Sequence, residues 1–194
     1  SNDQRLTIYK LRDYFLEEND SEKLLFEYLD NLLEKTADKL LPEDQNSNWK
    51  FDNLDKTLTQ SLGVSPDFNL LEKNGLNFGK VMDYMNNFYQ KYYFEKFGPL
   101  KERKAELERQ IAIQVMDAAW KRHLQNIDSL RSNIGLRAYA QRNPINEFKK
   151  ESFYLFDAMI ESFKDDIVKI LFNIKIQTMS PKEFEEHKKR REQN

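Results

Sequence analysis

Residues 110–144 read QIAIQVMDAAWKRHLQNIDSLRSNIGLRAYAQRNP, and this stretch decides the fold of the 194-residue chain. From Ile113, apolar or aromatic side chains recur by alternate steps of three and four: Met116, Trp120, His123, Ile127, Leu130 and Ile134. That 3.5-residue repeat lays one seam along a single face of a helix. After Gly135 the run Leu136-Arg137-Ala138-Tyr139-Ala140-Gln141-Arg142 breaks the pattern. Asn143 then offers an N-cap and Pro144 a first helical position. The apolar face of the second helix reads Phe148, Ser152, Leu155, Phe156, Met159, Phe163, Ile167, Ile170 and Ile174. Two long amphipathic helices joined by so short a connection lie antiparallel.

Upstream of the hairpin the chain reads as shorter helices. Gln4–Glu17 is helical by its apolar spacing but shows no N-cap, so its natural start is expected upstream. Asn19-Asp20-Ser21 can cap a second helix with Leu25, Tyr28, Leu29, Leu32, Leu33, Thr36, Ala37 and Leu40 on its apolar face. Pro42 and the polar stretch 43–48 make a loop. Trp49, Phe51, Leu54, Leu58 and Leu62 predict a short helix ending near Gly63. Ser65-Pro66-Asp67 starts a further short element that gives way at Asn74-Gly75. Asn77-Phe78-Gly79 leads into a helix rich in aromatics from Tyr84 to Phe97. Of these, Tyr89, Tyr92, Tyr93 and Phe97 are too widely spread around one helix for all four to face one core, and a residual exposed patch would be a docking site for another domain. Gly98-Pro99 separates this block from a highly charged lead-in, Lys101–Gln110, placed on a solvated face. Past the hairpin, Pro181 can start a last helix, and the tail 182–194 is nearly all charged.

Composition excludes several functions. With no Cys and only His123 and His187, the chain has no disulfide, no thiolate site and no multi-histidine metal centre. It carries no Gly-rich loop ending in Gly-Lys-Ser/Thr to cradle nucleotide phosphates, no Gly-x-Ser-x-Gly elbow and no His-based triad. No catalytic, cofactor-binding or metal-binding residue is therefore assigned. His123 on the seam reads as a packed histidine bonded to a carboxylate or carbonyl, Trp120 as an anchor between helices, and Asp117 and Asp128 as partners for basic groups on other helices. No apolar run approaches the length of a membrane span and no signal peptide is visible, which predicts a soluble, cytosolic chain. Its abrupt start and finish inside helices are those expected of a piece of a longer protein.

The hairpin turn is where function is expected. From Arg131 to Lys150 five basic residues (Arg131, Arg137, Arg142, Lys149, Lys150) face one acidic residue, Glu147, a local +4 in a chain of formal charge −2. Tyr139 sits at the turn, where a core role is hard to arrange, so its ring is expected to touch a partner.

The same residues carry a resemblance. Met116-Asp117, Trp120, His123-Leu124, Ile127-Asp128, Leu130-Arg131 and Ile134, then Leu136 to Gln141, Pro144, Glu147-Phe148-Lys149, Glu151-Ser152-Phe153 and Phe156, closely resemble the two-helix finger of the SecA family, the ATP-driven motors of bacterial preprotein translocases. Asp3-Gln4-Arg5, Ile8-Tyr9 and Arg12 resemble the end of that family's long scaffold helix, and the block between matches its helical wing mainly in chain order. Two departures are mild: a Gly is common where Ala138 stands, and an Asp where Asn143 stands.

The resemblance implies an all-α fold, a small helical wing domain followed by a long antiparallel two-helix hairpin. Residues 1–18 would end the scaffold helix, 19–98 form the wing, 99–178 the finger and scaffold helices, and 179–194 a charged linker. It further implies that Tyr139 contacts the translocating polypeptide at the mouth of a SecY-type channel. Arg137 and Arg142 would then meet acidic groups on the channel or on anionic lipid. The family's finger helices also restrain ATPase activity. ATP and magnesium belong to motor domains of the parent chain, and no cofactor is expected in this one. The implied partners are the channel complex, unfolded preprotein and the parent's motor domains, at the cytosolic face of the inner membrane. With only the end of the scaffold helix present, much of the finger's apolar surface is expected to be uncovered, with self-association or rearranged packing.

Two rivals stand on the residues alone. A basic-tipped hairpin could bind nucleic acid, which the acidic wing argues against. A purely structural or oligomerisation bundle would leave Tyr139 without functional consequence.

Overall fold

The computed structural model describes residues 2–17, 21–43, 48–137, 143–176 and 181–193; most of these lie in helices, and there is no strand among them. The α-helices are α1 (Asn2–Glu17), α2 (Ser21–Leu40), α3 (Asp52–Leu62), α4 (Phe78–Phe97), α5 (Arg103–Arg137), α6 (Pro144–Asn173) and α7 (Pro181–Glu192). The fold is all-α, as the periodicity requires.

Local signals set several boundaries. Gly63 ends α3 in the left-handed region at φ 78, its N–H donating to the Thr59 carbonyl at 2.9 Å. The Asn77 side chain accepts from the Lys80 N–H at 2.9 Å and starts α4. Asp67 caps the single turn Phe68–Leu70 by accepting from the Asn69 N–H at 3.0 Å. Pro144 begins α6 as expected, but the Asn143 side chain makes no capping bond. The turn Gly98–Leu100 leads from α4 through Lys101, a non-glycine residue at φ 50, into α5.

One continuous core draws on α1 to α6. The buried positions of α2 follow the predicted stripe, with Leu41 taking the innermost place at its end while Leu40 stays half-buried. The aromatics of α4 behave differently from expectation. Tyr89, Tyr93 and Phe97, spaced by four, are all buried, and half-buried Tyr92 packs against the same core. Phe172 of α6 makes this work, for its ring lies 5.6 Å from Tyr89, 6.1 Å from Tyr92 and 5.5 Å from Tyr93. A wedge from a neighbouring helix lets a wider sector of α4 face one core than a flat partner would. What stays exposed is Phe94, in edge contact with Phe26.

The C-terminal end of α6 is also corrected. Ile170 lies 38% exposed, whereas Val168, Leu171 and Phe172 are buried. Here α6 packs against α2 and α3 as well as α5, so its buried sector widens away from the hairpin seam. Its last carbonyls are held by Lys96, whose ammonium donates to the carbonyls of Phe172 at 2.6 Å and Leu171 at 3.3 Å. The described side chains of α7, from Lys182 onward, are exposed.

Candidate functional site

The hairpin is built from α5 and α6, 35 and 30 residues long, or about 52 and 45 Å at 1.5 Å per residue. Its antiparallel register shows in ring contacts: His123 lies 5.6 Å from Phe156, and further out the Arg131 guanidinium lies 5.6 Å over Phe148. Met116, His123, Ile127, Leu130 and Ile134 are buried along the predicted seam, with Ile113 and Trp120 half-buried. The expectation of a largely uncovered finger therefore holds only for its flanks, where Leu124, Leu136, Ile145, Phe153 and Tyr154 stay exposed.

The base of the hairpin is closed by α1, which runs antiparallel to α5. Arg12 pairs with Asp117 at 3.2 Å, and Gln4 meets His123. The Gln4 side-chain oxygen can only accept, so His123 donates through Nε2 at 2.9 Å. The Gln4 amide nitrogen then donates to the Ser152 hydroxyl at 3.2 Å and its carbonyl at 3.3 Å. One glutamine thus ties α1 to both hairpin helices. Nδ1 of His123 is buried with no hydrogen-bond partner among the described residues, and burial lowers the imidazole pKa below its ordinary 6.5. Both facts favour the neutral ring, and Trp120, 5.4 Å away, packs against it. His123 is a packing residue, as the seam position implies.

Beyond this node the hairpin has its own small core. Ile127, Leu130 and Ile134 pack with Phe148 and Leu155, separately from the main core. At the end of this segment Arg137 closes α5, and Asn143 precedes α6. Tyr139 and Arg142 lie outside the described residues, as does the Arg137 side chain.

Sequence reasoning missed one group, Glu108. It falls within the charged lead-in placed on a solvated face; Glu102, Glu106 and Gln110 are indeed exposed, but Glu108 is 2% exposed. Its carboxylate accepts from the Ser21 hydroxyl at 3.2 Å and from the Tyr93 hydroxyl. Burial raises its pKa, opposed by the Tyr93 bond, the Lys104 charge and the Ser21 bond. The signal was present in the spacing: Glu108, buried Ala112 and buried Met116 are four residues apart on one stripe.

Among the described residues no group of three His, Asp or Glu side chains could hold a metal, and no helix is long and apolar enough to cross a membrane.

Comparison with known proteins accounts for nearly all of the chain. The family described as SecA Wing and Scaffold domain matches residues 1–175. The protein translocase subunit SecA of Helicobacter hepaticus is 34% identical over 178 residues, covering 88% of this chain and 20% of that protein. The protein of the same name from Burkholderia thailandensis is 31% identical over 190 residues, covering 96% of this chain and 20% of its own length. The chain thus spans about a fifth of the length of these curated relatives. A helical block that shares a core with a long antiparallel hairpin, matched from end to end of that architecture, places the chain in the SecA wing and scaffold family.

Proposed function

We propose that the chain serves as the wing and finger region of a SecA-type preprotein translocase motor. Its hairpin would enter the mouth of a SecY-type channel and couple ATP-driven motion to movement of an unfolded polypeptide. The observation that carries this reading is the family match over residues 1–175, which includes the whole hairpin. Residues 1–18 act as the end of the scaffold helix, 19–98 as the wing, 99–178 as the finger and 179–194 as a charged linker. Tyr139 grips the moving chain: an aromatic ring with a hydroxyl contacts many side chains without demanding one sequence. Arg137 and Arg142 meet acidic groups on the channel or anionic lipid headgroups. ATP and magnesium act in motor domains of the parent, whose ATPase activity the finger helices restrain. The working place is the cytosolic face of the inner membrane.

The test is made in a complete motor carrying this segment. Tyr139→Ala should strongly reduce preprotein transport while leaving ATP and channel binding intact. Unchanged transport would remove the tip tyrosine from the mechanism and favour a purely structural hairpin.

A further inference from the structure

Glu108 is a buried carboxyl at the meeting point of three helices. Ser21 and Glu22 face it from α2, Tyr93 from α4 and Lys104 from α5; among the described residues Glu22, Tyr93 and Lys104 are the titratable and charged groups that act on it. Lys104 pairs with Glu22, and its ammonium also stands 5.1 Å from the centres of the Tyr93 and Phe94 rings. The junction lies just beyond the turn where α4 passes into α5 through Lys101 at φ 50.

We propose that Glu108 is a proton-operated latch between the wing helices α2 and α4 and the first hairpin helix α5, closed when its carboxyl is protonated and loosened when it ionises. Both hydroxyls can donate to the carboxylate; on protonation one of them turns to accept the carboxyl proton while the other still donates to the second oxygen, so both Ser21 and Tyr93 stay paired. On ionisation the proton leaves to solvent and a negative charge remains at a site 2% exposed. Two hydroxyl donors and the Lys104 ammonium soften that cost, so the junction loosens instead of refusing the charge.

The sign follows from the raised pKa. Between the ordinary carboxyl value of 4.5 and the raised folded one, the closed junction holds a proton that the opened junction has lost. Closure is therefore favoured at lower pH and weakens as pH rises through that window. The consequence reaches the tip by leverage. From Glu108 to Arg137 the helix extends about 44 Å, so a tilt of about 5° at the latch moves the far end by about 4 Å.

Hydrogen exchange of the whole chain tests this, with rates corrected for the intrinsic pH dependence of exchange. Protection of amides in residues 21–25 and 104–112 should fall as pH rises from the ordinary carboxyl value of 4.5 through the raised folded one, by up to about tenfold per pH unit. Glu108→Gln keeps the neutral form and should show no such slope, with protection at pH 7 at or above that of the unsubstituted protein. Tyr93→Phe removes a donor to the carboxylate and should extend the slope to higher pH. A flat profile in the unsubstituted protein overturns the latch, as does an undiminished slope in Glu108→Gln. Should Glu108→Gln fail to fold, Tyr93→Phe decides alone, and an unmoved slope there overturns it.

Discussion

Leu130→Ala tests whether the outer hairpin stands on its own small core. Leu130 is 7% exposed and packs with Ile127, Ile134, Phe148 and Leu155, apart from the core that unites α1 to α6. Large-to-small changes of this kind cost about 2–5 kcal/mol, and the cost is least where the surroundings can close over the cavity. A cluster held between only two helices closes readily, so about 2–3 kcal/mol is expected. At a factor of ten per 1.4 kcal/mol, amide protection in residues 127–137 and 144–155 should fall roughly thirty- to hundredfold. Protection in α2, α3 and α4 should hardly change, because Leu130 touches none of their core. Hydrogen exchange read peptide by peptide checks both halves of the claim. Equal loss across the chain would mean that hairpin and wing unfold as one unit, and no loss at 127–137 would mean that the outer cluster contributes little.

Two further outcomes follow from single residues. Gly63→Ala places a side chain at φ 78 and sets a Cβ 2.8 Å from Asn173 Oδ1, so it should destabilise by about 1–2 kcal/mol in chemical denaturation, and a neutral result would show that α3 can end differently. His123 should titrate below 6.5 by NMR, so α1 docking should weaken as pH falls below that value, where the unfolded chain takes up a proton that the folded ring resists; a value at or above 6.5 refutes the neutral, buried assignment.

The seam was legible because its residues share one helix face and one partner, so a 3.5-residue spacing is enough to find Met116, His123, Ile127, Leu130 and Ile134. Gly63, Asn77 and Pro144 were legible for another reason: each does a task of backbone chemistry that few residue types can do. Spacing failed where a third helix intervened. Ile170 lies on the ideal stripe of α6 but is exposed, because α2 and α3 draw Val168, Leu171 and Phe172 inward instead. Glu108 was hidden by its neighbours, since one buried carboxyl in a run of charges looks like the rest until Tyr93 and Ser21 are brought to it by α4 and α2. Tyr139 is read from its place at the turn and from the resemblance, and it lies outside the described residues.

The central claim concerns what the hairpin tip touches, and a photo-activatable residue in place of Tyr139 addresses it directly. It would be placed in a complete motor carrying this segment, stalled with a preprotein in the channel. The account predicts a crosslink from position 139 to the translocating polypeptide that depends on ATP and is missing from a control position on α7. Crosslinks to neither polypeptide nor channel, with transport still running, would contradict it.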